Sequence, residues 1–460
     1  SQKVPSSSLL WRWTSSAASS TPASVTEPQS LTSSQDIQFM MFSTLALSLG
    51  LFGIASAQDV DGVPSFASFL AQHGRVYAVG TKEYEHRRSL FESRVAEVRR
   101  HNSKPQRAWN ARVNYLFDRT EEELAALRGW KGHARSSRSV GQVAAHDSSK
   151  SKLFLGQAEK VFIPDNHTWG HLQAIKADVN QGSCGSCWAV ATMTMMNAAD
   201  EIAGNMRSFA AQDLVNCVPN PYSCGGQGGC RGATVELAMD WISKYGMRTT
   251  DDSPYQAQDG ECYASLLEHH TMSAAAPSRF LSNDVGDINS DVKNHYQYGN
   301  SLDATIAVGQ HSTESASLGA KLGVKYWTRL PENEYKPLLQ HLVEYGPVAV
   351  SVSANGWYAY GNGIFDLCAT DAIIDHAVVL FGYGKDVEKD MKFWDIKNSW
   401  GRSWGEDGNI RLPRSETVKC GIDRQPEVGT GCDGGPKEVK VCGECGILYD
   451  VVSVAMDKLA

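Results

Sequence analysis

Long apolar runs are almost absent from this chain. The stretch that comes nearest, Met41-Phe-Ser-Thr-Leu-Ala-Leu-Ser-Leu-Gly-Leu-Phe-Gly-Ile54, falls short of the ~18 apolar residues a membrane helix needs. Positive charge is not in excess: 43 Lys and Arg face 51 Asp and Glu, a formal net charge of −8. That removes the electrostatic ground for binding nucleic acid. There is no internal repeat, which excludes a solenoid or propeller. Methionine is missing before Met40 and Met41. Residues 1–39 are rich in Ser, Thr, Ala and Pro without apolar periodicity, so they cannot build a core.

The rest has ordinary globular composition, 42% hydrophobic and 20% charged over 460 residues, with room for two or three domains. The apolar run ends in Ala55-Ser56-Ala57, an A-x-A pattern. Residues 40–57 are therefore expected to be a cleaved signal peptide, after a disordered or untranslated leader at 1–39. The positive charge that usually opens a signal peptide is lacking, which leaves an uncleaved anchor as the alternative. Cleavage would leave a product with no membrane attachment, in an oxidising compartment.

Residues 62–130 have helical spacing, with Phe66, Phe69 and Leu70 on one stripe and Leu90, Phe91, Val95 and Val98 on another. A small, polar, basic linker follows at 131–154, the kind of segment that proteases cut. From 155 to 425 the chain is globular, apart from a polar insertion at about 265–323. Strand-like runs return after it, at Pro347–Ser353, His376–Tyr383 and Phe393–Asn398. A cysteine-rich extension is expected over 426–460.

One segment concentrates reactive chemistry: Asn180-Gln181-Gly182-Ser183-Cys184-Gly185-Ser186-Cys187-Trp188-Ala189. Gly182 and Gly185 allow a tight loop, and a strong helix follows until Gly204 can end it. Cys187 then sits at a helix N-terminus, where unpaired N–H groups and the dipole favour thiolate over thiol. The same groups can hold an oxyanion, with Gln181 as a second donor.

This run resembles the active-site signature of the papain and cathepsin family. Asp375-His376-Ala377-Val378-Val379 and Lys397-Asn398-Ser399-Trp400-Gly401 resemble the family's histidine and asparagine segments, in the family's order. The resemblance implies Cys187 as nucleophile, His376 as its base in an ion pair, Asn398 orienting the imidazole, Gln181 in the oxyanion hole and Trp400 as a shield. It also implies an α+β, papain-like fold in two subdomains, a helical half and a β-barrel-like half with the cleft between them. A small helical prodomain would precede them. Glu83, Arg87, Phe91, Val98 and Asn102 resemble the family's inhibitory prodomain motif, although Arg94 stands where that motif has Asn. Asn114-Tyr-Leu-Phe-Asp118 resembles a second prodomain motif, with Arg112 and Leu116 in place of Gly and Phe.

The implied activity is that of a cysteine-type endopeptidase, made as a self-inhibited zymogen that acts on proteins or peptides. No cofactor or metal is implied, and the enzyme would be a monomer in the lysosome, vacuole or extracellular space. A peptidyl transferase or ligase, or a non-catalytic binding protein on the same scaffold, are the alternatives. Gly232 and Ala233 would pair with an extended substrate. Thr234, Val235, Ser351, Ile374 and Ala377 would line the pocket for the second residue before the scissile bond, with Gln425 at its floor.

By the same resemblance Cys184 pairs with Cys230, Cys217 with Cys262, and Cys368 with Cys420. Of the eleven cysteines, the nucleophile and these three pairs leave Cys224, Cys432, Cys442 and Cys445. Two further disulfides are expected, one tying Cys224 to the tail, and a zinc site is the alternative. His269 and His270 in the insertion read as surface residues, and Asn166-His-Thr168 is a glycosylation sequon.

Overall fold

The computed structural model describes residues 63–129, 162–262 and 321–459. The leader, the signal peptide, the linker, most of the insertion and the pair His269-His270 lie outside the described residues.

Helix α1 (Phe66–Gln72) and helix α2 (Lys82–Asn102) open the described chain, each started by a side-chain cap, from Ser65 and Thr81. Their apolar stripes meet through Phe69 and Phe91, whose ring centroids lie 4.7 Å apart. Strand β1 (Trp109–Ala111) and helix α3 (Glu121–Ala126) follow, the latter begun by a Thr120–Glu123 capping box. Arg87 ties α2 to α3 through Glu123 and donates to the Asp118 carbonyl at 2.8 Å. Arg94 is buried and donates to the backbone carbonyls of Leu116, Phe117 and Arg119. A guanidinium thus supplies several donors to one loop, which explains how Arg is accommodated at this position.

This helical unit is fixed to the body by backbone pairing. Strand β1 runs antiparallel to β5 (Tyr360–Gly363). Asn114 donates to the Tyr358 carbonyl at 2.7 Å, and the Tyr115 hydroxyl donates to the Trp400 carbonyl at 3.0 Å.

The body has a helical half and a sheet half. Strand β2 (His167–Thr168) and helix α4 (Gln173–Lys176) lead into helix α5 (Cys187–Ala203), which Gly204 ends in the left-handed conformation. Helices α6 (Ala211–Cys217) and α7 (Val235–Tyr245) pack beside it. The sheet half comprises β3 (Val324–Arg329), helix α8 (Tyr335–Glu344), β4 (Val348–Val352), β6 (His376–Asp386), β7 (Met391–Lys397), β8 (Asn409–Pro413) and β11 (Asp450–Met456). Strands run in the order β3-β11-β4-β6-β7-β8, with β2 paired to β6, all antiparallel. The sheet is open, where a barrel-like half was expected. Strand β6 is apolar on both faces because both are covered. Ala377, Val379 and Phe381 pack toward α5, while Val378 and Leu380 join the opposite core.

Two expectations are corrected here. Cys368 pairs with Cys445 and Cys420 with Cys442, not Cys368 with Cys420. The reason is a hairpin: β9 (Cys420–Asp423) pairs antiparallel with β10 (Val439–Cys442) in a register that sets Cys442 opposite Cys420. The tail is also no appendage. Strand β11 sits between β3 and β4, with Val451 and Val452 buried, so the last described strand belongs to the core. Cys184–Cys230, Cys217–Cys262 and Cys224–Cys432 are bridged. Every cysteine proposed for zinc is therefore held in a disulfide.

Non-reducing peptide mapping should recover these five cross-links and a free Cys187. Removing Cys224–Cys432, which spans 208 residues, should lower the denaturation midpoint. The chain-entropy limit for so long a loop is about 5 kcal/mol, and the loss should be smaller because Cys217–Cys262 and Cys368–Cys445 already shorten the loop. An unchanged midpoint, or a Cys368–Cys420 peptide, would contradict this pairing.

Candidate active site

Gly182, at φ +66°, turns the chain so that Ser186 leads into α5 and Cys187 becomes its first residue. The loop is held from below: Tyr255 donates to the Gln181 carbonyl at 2.9 Å, and its oxygen lies 2.5 Å from Ser186 Oγ. Cys187 is the free cysteine, and it is buried.

His376 opens β6, and Asn398 directly follows β7. Antiparallel pairing of Val379 with Lys397 brings both to the same end of the sheet. The imidazole Nε2 lies 2.8 Å from the Asn398 side-chain oxygen, which also accepts from the Ser399 N–H at 2.8 Å. That leaves Nδ1, which is buried and has no partner. Trp400 covers the imidazole with ring centroids 5.2 Å apart, and Trp357 meets it edge-on at 6.1 Å. Cys187 and His376 line one recess between the two halves.

The recess is largely covered, because the segment after α3 runs along it. Gln181 Nε2 donates to the Leu127 carbonyl at 2.7 Å and to the Cys184 carbonyl at 2.8 Å, while its oxygen accepts from Ser399 Oγ at 2.5 Å. Arg128 lies 2.8 Å from Asp375 in an ion pair at the recess wall. A Cβ on Gly129 would stand 3.3 Å from the Gly225 carbonyl oxygen and 3.4 Å from Gly232 Cα.

Burial decides the protonation of the pair. It pushes the Cys187 thiol up to about 11, with the Asp375 charge adding to the rise. It also lowers His376 to about 4, against the Asn398 hydrogen bond, which raises it. In this closed state the site therefore holds a neutral thiol and a neutral imidazole. Desolvation outweighs the helix N-terminus while the site is covered, and the ion pair expected from the sequence belongs to the uncovered enzyme.

Of the expected pocket residues, Ala233, Thr234, Val235, Ser351 and Ala377 line this recess, together with Gly225, Gly429 and Thr430. Ile374 is buried beside it. Gly232 has its N–H donating to the Gly229 carbonyl and its carbonyl accepting from the Gly228 N–H, so its backbone is already engaged. Gln425 is exposed and does not line the recess. Sequence reasoning missed the charges behind the pocket. Ser351 Oγ donates to Asp450 at 2.6 Å, and Arg329 lies 3.1 Å from Asp450 and 3.4 Å from Glu236. Burial, then the Asp450 charge, raises Glu236 to about 7. The distance of Asp450 from the other pocket residues in sequence, inside the supposed extension, hid it. Asn166 is exposed and its side-chain oxygen accepts from the Lys385 N–H.

A thiol at a helix N-terminus and an imidazole held by an amide, both lining one recess, make up the groups of the thiol–imidazole class of catalytic site. Residues 163–430 match the model of the papain family cysteine proteases, and residues 66–124 match the cathepsin propeptide inhibitor domain (I29). The chain belongs to the papain family of cysteine proteases, with an inhibitor-type propeptide in front. It is 30% identical to the oryzain beta chain of Oryza sativa subsp. japonica, over 74% of this chain and 60% of that protein. Digestive cysteine proteinase 1 of Homarus americanus is 27% identical over 82% of this chain and 96% of its own. Procathepsin L 3 from the Tenebrio molitor larval midgut shares the fold with a TM-score of 0.54 at 21% identity, covering 85% of this chain and 97% of that one. A recombinant stem bromelain precursor does so with a TM-score of 0.54 at 22% identity, with the same coverage.

Acid should loosen the propeptide. Asp375 is raised above the usual aspartate value by burial, against the pull of Arg128. A carboxyl raised in this way binds its proton more tightly in the covered state, so Asp375 itself favours the propeptide's contact as pH falls, and acid acts through carboxylates that are held low. Glu123 is held below the usual glutamate value: burial opposes this, but the hydrogen bonds from Arg87 and the Thr120 N–H prevail. Its contribution to the α2–α3 contact is full above the ordinary carboxylate range and is lost as pH falls through the depressed value. The purified precursor should therefore shorten itself at about pH 4 to 5, with cleavage between residues 130 and 162, and Arg128→Ala should convert at higher pH. A precursor that stays intact there until a protease is added would contradict autocatalysis.

Proposed function

We propose that this chain is the latent precursor of a cysteine endopeptidase that hydrolyses peptide bonds through an acyl-thioester on Cys187. The observation that carries the reading is the burial of a free thiol against an imidazole whose second nitrogen has no partner, with the Gln181 amide bonded to a peptide carbonyl of the propeptide. That carbonyl marks where a substrate oxygen would be polarised.

Once the propeptide leaves, water returns and the helix N-terminus can stabilise the thiolate. His376 takes the Cys187 proton, and the sulfur attacks the scissile carbonyl carbon. The oxygen gains the electron pair and is held by Gln181 Nε2 and the Cys187 backbone N–H. The carbonyl re-forms as the C–N bond breaks, and His376 returns the proton to the leaving amine. Water, deprotonated by His376, then releases the acid and restores the thiol. Asn398 keeps the imidazole in line throughout, and Trp400 keeps water from their hydrogen bond. Proteins or peptides are the substrates, and the propeptide is the enzyme's own inhibitor. The five disulfides support a place in the secretory pathway, as a lysosomal, vacuolar or extracellular monomer.

An epoxide or vinyl-sulfone probe should label Cys187 in the processed enzyme and no other cysteine. Cys187→Ala and His376→Ala should each lose roughly 10,000-fold or more in kcat/KM while retaining the far-UV spectrum of the parent. Labelling at another cysteine, or peptidase activity surviving in Cys187→Ala, would overturn the assignment.

A further inference from the structure

Ser186 stands immediately before α5, where a serine usually caps a helix by accepting from the second or third N–H group of the first turn. Here it does not cap. Its side chain makes no hydrogen bond to the helix, and its backbone, at φ −102° and ψ 21°, lies outside the extended region that a capping residue usually adopts. The hydroxyl turns to Tyr255 instead. Tyr255 donates its proton to the Gln181 carbonyl at 2.9 Å, so its contact of 2.5 Å with Ser186 Oγ has the serine as donor. Ser186 is fully buried, which makes that bond costly to lose. The first N–H groups of α5 are thereby left to the sulfur. Burial raises the Cys187 thiol, and the N–H groups of Ala377, Trp188 and Cys187 act against that rise. Trp188 is the second residue of α5, and its N–H is one that a capping serine would take.

We propose that Tyr255 is a positioning residue: by holding the Ser186 hydroxyl off the start of α5, it keeps the Trp188 N–H free for the Cys187 thiolate. The inference deepens the peptidase reading and rests on it for the use of that thiolate. The N–H groups that open a helix have no intrahelical partner, and a neighbouring side-chain oxygen competes for them with any anion. Tied to Tyr255, Ser186 offers them no acceptor. Released, its oxygen competes with the sulfur for the Trp188 N–H, and the thiolate loses a donor. Tyr255 acts without charge. Burial lifts its phenol to about 12, so it stays neutral while the thiol titrates. The charged and titratable groups that share the recess with Cys187 are His376, Asp375 just before it, and Arg128 of the propeptide. The variants below change none of them.

The test uses the processed enzyme and reads the rate of Cys187 alkylation by iodoacetamide against pH, so that it follows the thiol and not turnover. Active sites are counted separately with an epoxide probe. In Tyr255→Phe the acid limb of the profile should move up by about 0.5 to 1 pH unit, the size of a helix N-terminal donor's hold on an anion. In Ser186→Ala it should stay within about 0.2 unit of the parent, because that hydroxyl is already turned away. In Tyr255→Phe/Ser186→Ala the limb should return toward the parent, since no hydroxyl remains to compete. A merely structural loss would lower the count of active sites, and removing a second side chain would not restore the limb. An unmoved limb in Tyr255→Phe, a shift that persists in the double variant, or a shift in Ser186→Ala alone overturns the proposal. If Tyr255→Phe yields no titratable thiol, Ser186→Ala decides the matter by itself. A parent whose thiol alkylates in this way but turns over no peptide overturns the peptidase reading alone.

Discussion

The Gln181 side chain is fully buried, and both ends of its amide are committed. Its nitrogen donates to Leu127 of the propeptide and to Cys184 of the catalytic loop, and its oxygen accepts from Ser399 beside Asn398. Three segments far apart in sequence meet on this one group. A buried amide left without partners is costly, on the order of 1–3 kcal/mol. Its geometry therefore constrains all three: the loop that presents Cys187, the strand end that presents Asn398, and the chain that occupies the cleft. Loss of the propeptide frees only the donor bond to Leu127. In the proposed mechanism the donor that a substrate oxygen needs is thus already aimed.

Latency follows from the same contact through water. A helix N-terminus favours a negative charge by about 0.3–1 kcal/mol at exposed sites, and somewhat more when partly buried. The rise of the Cys187 thiol to about 11 corresponds to roughly 3 kcal/mol in the other direction. Covering the pair is therefore enough to keep it neutral without moving either residue. The propeptide covers the cleft, and burial there favours the neutral thiol and the neutral imidazole. Part of its anchorage lies outside the recess, at β1 on β5 and at Asn114 on Tyr358, so the inhibitor does not depend on the cleft contacts alone.

The residues that meet at the candidate site were legible because each sits in a short segment whose local chemistry is specific: glycines around a cysteine before a helix, a histidine opening an apolar strand, an asparagine before Ser399-Trp400-Gly401. The partners of Cys368 and Cys420 were not legible. Their choice depends on the β9–β10 register, which the sequence between Cys420 and Cys442 does not announce, being rich in glycine and charge. Asp450 was missed for a related reason. The chain after residue 425 was expected to be an extension, and a strand of the central sheet lies within it. Arg94 went the other way: a departure from the family motif turned out to be satisfied by three carbonyls of the loop it faces.

The cysteine-rich segment and strand β11 are coupled by topology. Strand β11 must insert between β3 and β4, where Val451 and Val452 are buried, and its Asp450 must reach Arg329 and Ser351 behind the pocket. The segment from β9 to β10 leads into it, so slack there would cost register in the centre of the sheet. Cys420–Cys442 closes the hairpin, Cys368–Cys445 pins the turn before β11, and Cys224–Cys432 fastens the intervening loop to the helical half. A one-residue slip of β11 would exchange its two faces, turning Asp450 toward the opposite core and leaving Arg329 without that carboxylate. The bridges that hold the loop at the mouth of the recess therefore also hold the charges behind it, and pocket shape and sheet register are set by the same covalent ties.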